Sequence, residues 1–197
     1  MISPCYIAEC NLPPICEKEV LCYAGDTNPT KETLQILRDC IKECKNIFSR
    51  KIAYRIFPIE RQDDGLCIGS LTIHSKSLEK NLSGCDRVIL FAATAGIEID
   101  RYIAKYARLS PSRSLMFHSI GAERIEALCD AFCRFLTDNE GLEITQRFSP
   151  GYGDLPLSFQ KDFLALLNAG NTVGIGLNDS MLLSPSKSVT AFAGILS

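Results

Sequence analysis

Gln146-Arg147-Phe148-Ser149-Pro150-Gly151-Tyr152-Gly153-Asp154-Leu155-Pro156 is the stretch on which the reading of this 197-residue chain turns. A cation and an aromatic ring bracket a Pro-Gly turn. Arg147 carries the planar fork that holds a carboxylate through two parallel hydrogen bonds, Gly151 lets backbone come close to a ligand, and Tyr152 offers a ring face to a sulfonium or another aromatic group. Together they suit a zwitterion that also carries a cation. The same residues also read as a structural turn with a surface arginine and a core tyrosine, the commoner case for such a turn taken alone.

Upstream of the turn, residues 112–136 form the longest helical pattern in the chain, with Ile125, Leu128, Phe132 and Leu136 on one face. Glu123, Glu126, Asp130 and Arg134 make a polar stripe on it, either a docking face for a partner or a solvated face with an internal ion pair. Further towards the N-terminus the spacing predicts a strand over 5–11 and a helix over 15–24. A second helix, capped by Thr30, carries Leu34, Leu37, Ile41, Cys44 and Phe48 at helical intervals. Alternating residues over 51–59 and 66–74, joined by Gln62-Asp63-Asp64-Gly65, predict a hairpin. A short helix over 75–82, a buried strand over 87–92 and a helix over 97–106 follow. Small residues Ala93-Thr94-Ala95-Gly96 close that strand and permit close approach. Beyond the turn, Gly170, Gly174, Gly176 and Gly194 punctuate strands around one helix over 159–167. The expected architecture is α+β: helices on a twisted, mostly antiparallel sheet, with residues 1–197 as a single domain.

Composition bounds the function. The chain has 21 Lys and Arg against 23 Asp and Glu, a formal charge of −2, so the basic excess that drives nucleic-acid binding is missing. No basic start followed by an apolar run and no long uncharged apolar stretch occurs, and the expectation is a cytoplasmic protein with no membrane partner. Ten cysteines without a secretory signal read as free thiols. Cys40 with Cys44, and Cys129 with Cys133, lie one helical turn apart, a spacing unlike that of zinc or iron–sulfur ligands, and His74 and His118 have no carboxylate at metal spacing, so no metal is expected. Gly174-Ile175-Gly176 lacks the strand-to-helix context of a dinucleotide loop, and neither a phosphate loop nor a Gly-x-Ser-x-Gly elbow is present.

The Arg-x-x-Pro-Gly-Tyr run from Arg147 to Tyr152, with Pro156 and Lys161 after it, resembles the signature of the S-adenosylmethionine-binding activation domain of cobalamin-dependent methionine synthase. Downstream, Leu177-Asn178-Asp179-Ser180-Met181 and Ser184-Pro185-Ser186-Lys187-Ser188-Val189-Thr190 are similar to that family's later conserved runs at the same distance. Upstream, the helix from Ala122 to Leu136 resembles the one preceding the signature, and Asp130 falls where the family has a carboxylate. The likeness covers residues 112–195, and residues 1–80 carry less of it. It implies the activation-domain fold and a site in which Arg147 takes the methionine carboxylate of S-adenosylmethionine, Asp130 its ammonium, the main chain from Ser149 to Gly151 lies alongside, and Tyr152 sits beside the sulfur. It implies no catalytic acid, base or nucleophile, only a component of a methyltransferase activity that supplies proximity and electrostatics. The methyl acceptor would be cobalamin on a separate methionine synthase module or corrinoid protein, and the electron donor a flavodoxin-like protein. The chain departs from the family at Gly153, where proline is usual, at Leu155, which replaces a cysteine, and at its end, which lacks an aromatic-bearing extension. Those departures keep a second expectation open, a non-catalytic docking or assembly module with a decayed ligand site; a third, separate expectation is service to another corrinoid methyltransferase.

Overall fold

A computed structural model describes residues 4–63 and 65–196. The elements run β1 (Tyr6–Glu9), α1 (Glu17–Tyr23), α2 (Lys31–Cys44), β2 (Lys51–Gln62), β3 (Gly65–Ile68), β4 (Leu71–Ile73), α3 (Lys76–Asn81), β5 (Cys85–Thr94), α4 (Glu98–Leu109) and α5 (Pro111–Asp138). After the Pro-Gly turn come α6 (Gln160–Leu167), α7 (Ala169–Thr172), β6 (Gly176–Leu177), β7 (Leu183–Ser184) and β8 (Ser188–Leu196).

The main sheet has the order β4-β3-β2-β5-β8, with β1 also on β2, and every pairing in it is antiparallel. Strand β5 lies between β2 and β8 and is apolar on both faces because both are covered. Val88, Leu90 and Ala92 point to one side, where Phe57, Phe192, Leu78 of α3 and Phe163 and Leu167 of α6 form a core. Ile89, Phe91 and Ala93 point to the other, against Ile125, Leu128 and Phe132 of α5. A third cluster joins α1, α2, α4 and the first half of α5 through Val20, Leu37, Ile99, Phe117 and Ile120.

The expected fold class is therefore the observed one, and the differences are local. The run over 66–74 is two strands, since the chain reverses at Gly69, whose φ of +61° only glycine adopts cheaply and whose missing Cβ would stand 2.9 Å from the Phe57 ring. Helix α2 stops at Cys44, short of Phe48: a turn closed by the Ile47 N–H on the Cys44 carbonyl redirects the chain towards β2, and Phe48 packs beside two cores. Asp64 of the expected hairpin turn lies outside the described residues. Thr30 caps α2 as expected, its hydroxyl accepting from the Thr33 N–H at 3.1 Å.

Two contacts fix the elements that carry the candidate site. Phe132 is fully buried, with ring centroids 5.1 Å from Tyr54 and 5.0 Å from Phe91, and so sets which faces of α5 turn outward. Asp154, from the Pro-Gly turn, holds the start of α3: the Ser75 hydroxyl donates to it at 2.5 Å, and the Lys76 and Ser77 N–H groups at 2.8 and 3.1 Å. Those donors favour the ionised carboxylate, at a place where a helix start also favours negative charge, and the Asp154 pKa falls well below the usual carboxylate range.

Phe132→Ala is expected to lower stability by about 3–5 kcal/mol in urea unfolding, as a buried ring is lost and a cavity left. Because the Asp154 pKa is depressed in the fold, its contribution is complete above the unfolded value of about 4 and disappears as pH falls through the folded one. The stability difference between wild type and Asp154→Asn should accordingly be flat at neutral pH and shrink only in strong acid.

Candidate functional site

Arg147 lies just after the long helix, where Phe148 pairs with Phe192 of β8 and so brings the start of the Pro-Gly turn beside α5. Its Nη2 meets Glu126 at 3.0 Å and Asp130 at 2.9 Å, two acids one helical turn apart on α5. The acid on the helix and the guanidinium of the turn thus converge, and they do so by direct contact. The Arg147 side chain is only 26% exposed, whereas Glu126 and Asp130 are 42% and 56% exposed. Burial works against the Arg147 charge, but the Glu126 and Asp130 carboxylates beside it favour that charge, the pKa is raised, and the guanidinium stays charged.

Beside this ion triad opens a cavity of about 350 Å³. Three segments far apart in sequence meet there: Glu126 from α5, the turn through Arg147, Ser149, Pro150 and Tyr152, and Leu183, Ser188, Val189 and Thr190 from β7 and β8. Gln160, the first residue of α6, completes the lining, and the buried Thr190 hydroxyl donates to its side-chain oxygen at 2.6 Å.

The turn itself is rigidly built. Gly151 N–H bonds the Leu155 carbonyl at 2.9 Å, and the Tyr152 N–H bonds that of Ser149 at 3.1 Å. Gly153 has φ of +55°, and a Cβ there would stand 2.4 Å from the Ser77 hydroxyl. Proline, locked near φ of about −65°, is excluded from that conformation, so the departure at Gly153 is tied to the docking of the turn on α3. Leu155 is 2% exposed and belongs to the core shared with α6, which accounts for an apolar residue there.

Of the residues singled out from sequence, Arg147, Ser149 and Tyr152 line the cavity. Asp130 holds Arg147 without lining it, and Gly151 shapes the turn, its amide already engaged within it. Tyr152 is 67% exposed and stands at the mouth. Glu126 was legible only as part of the polar stripe, and its place one turn before Asp130 was the available signal. Gln160 had none, and Thr190 was legible only as the end of the run over 184–190, since their meeting depends on how α6 crosses β8. The stripe does not act as one face: Glu123 is buried and paired with the buried Arg124.

The cysteines are free thiols among the described residues, and burial pushes Cys129, next to Arg147, up to about 12, and Cys40 and Cys44 to about 11 and about 12. These three buried thiols are poor nucleophiles. His118 has both ring nitrogens 3.3 Å from Lys187 Nζ, and burial, with that cation, lowers its pKa. No group of three His, Cys, Asp or Glu side chains among the described residues is placed to hold a metal ion. No helix among them is long and apolar enough to cross a membrane.

No protein-family model and no curated protein matches the sequence. Among solved structures, the chain is similar to the crystal structure of the MetH reactivation domain bound to AdoHcy, with a TM-score of 0.73 over 98% of this chain and 79% of that one, at 14% identity. At that identity the likeness establishes the fold: this chain has the α+β architecture of the MetH reactivation domain, with helices on a mostly antiparallel sheet.

Proposed function

We propose that the chain is an S-adenosylmethionine-binding reactivation module, serving the reductive methylation of cobalamin held by a separate methionine synthase or corrinoid protein. One observation carries the reading: Arg147 and Glu126 line the cavity, and Asp130, just outside it, pairs with the same guanidinium. S-adenosylmethionine has the complementary set, one carboxylate with an ammonium and a sulfonium. The cavity volume lies within the range of about 300–1,000 Å³ found for small-ligand sites. The similar solved structure holds AdoHcy.

In this reading Arg147 takes the ligand carboxylate with donors other than Nη2, or by exchanging one of its acids for it. Glu126, inside the cavity, and Asp130, just outside it, receive the ammonium and balance the sulfonium. Tyr152 covers the mouth with a ring face, and the Gln160–Thr190 pair supplies polar contacts at the far wall. The ligand brings the methyl group, a flavodoxin-like donor the electron, and this chain the binding and orientation.

A second reading is favoured by the self-pairing of Arg147. A guanidinium already answered by two acids is a finished structural bridge, and Tyr152, Leu157, Met181 and Leu182 leave large apolar surface exposed on the segments that frame the cavity. These features suit a docking or assembly module with no ligand.

Calorimetric titration separates the two. On the first reading S-adenosylmethionine binds saturably, and Arg147→Ala weakens it by about 2–4 kcal/mol because a carboxylate loses its charged partner. Glu126→Gln should weaken S-adenosylmethionine more than AdoHcy, since only the former carries the sulfonium charge. No binding at near-millimolar ligand would leave the docking reading standing.

A further inference from the structure

We infer that a second ligand site, for a small organic anion with an apolar body, lies between the N-terminal proline turn and the end of α2. The cavity there measures about 680 Å³, larger than the one beside Arg147. Its walls are apolar and half-buried, from Leu12, Ile15, Ile41 and Phe48.

The charge around it is one-sided. Lys45, Arg50 and Arg124 line it, and no carboxylate does. Arg124 is answered by Glu123, with both side chains almost fully buried. Lys45 and Arg50 are exposed and enter no ion pair among the described residues. Two uncompensated cations over an apolar hollow are the complement of an anionic head on an apolar body.

The site is also preformed. Arg124 Nη1 donates to the Pro13 carbonyl at 2.7 Å and Nη2 to that of Pro14 at 3.3 Å, while Glu123 accepts the Cys16 N–H at 3.1 Å. The proline turn is therefore pinned to α5 through a buried ion pair. On the opposite wall the Arg50 carbonyl accepts the Cys10 N–H at 3.1 Å, which fixes the backbone carrying one of the cations. A ligand entering such a frame pays little for ordering it. Arg124 and Glu126 project about 160° apart around α5, so this hollow and the Arg147 cavity occupy different sides of the helix.

Fluorescence titration of the full chain with 8-anilinonaphthalene-1-sulfonate tests the assignment, with N-phenyl-1-naphthylamine as the probe lacking the sulfonate. Saturable binding of the sulfonate is expected, weakened about tenfold in a Lys45→Gln, Arg50→Gln double variant, while any affinity for the uncharged probe stays within about twofold. Both substitutions are at exposed positions, and Arg147→Ala should change neither titration. The absence of saturable sulfonate binding would overturn the proposal. So would sulfonate binding indifferent to the double variant, equal weakening of both probes, or loss of sulfonate binding in Arg147→Ala, which would put the probe in the other cavity.

Discussion

The seating of Phe132 between Tyr54 and Phe91 is the constraint from which the rest of the molecule follows. It locks the rotation of α5 against the sheet, and a helix so fixed has its other faces assigned as well. One flank delivers Glu126 and Asp130 to Arg147. Nearer its start, Glu123 and Arg124 grip the proline turn. Both cavities are consequences of where a single apolar stripe is buried.

The chemistry of the Arg147 site rests on a balance of charge rather than on any reactive side chain. A half-buried guanidinium would be costly unless answered, and two carboxylates answer it. Their excess negative charge is what a ligand with more cationic than anionic groups would neutralise. The thiol beside it, Cys129, is held protonated by burial and so offers the site no nucleophile.

Much of this was legible in the sequence, and the parts that were not share a cause. The apolar periodicity of α5, the Thr30 cap and the unbroken apolar run of β5 are local signals, and they gave the helices and the central strand. The convergence of Asp130 with Arg147 was expected from a family resemblance, and the two residues do meet, but their direct ion pair was not expected, because spacing says nothing of how two side chains divide the space between them. Glu126 hid in a stripe that looked uniform from sequence and is split in the fold, with Glu123 buried under the proline turn. Gln160 and Thr190 form their hydrogen bond 30 residues apart across two elements, and no local pattern announces such a pair. Gly153 was visible as a departure from a proline-bearing pattern, and its reason, contact with Ser77 of α3, is wholly tertiary.

The central claim is that the Arg147 triad opens to a zwitterionic ligand. A crystal structure of the chain grown with S-adenosylmethionine tests it most directly. The account predicts the ligand in the cavity, its carboxylate on Arg147 and its cationic groups facing Glu126 and Asp130. A structure grown at saturating ligand in which Arg147 still bridges the two acids and the cavity holds only water would contradict it.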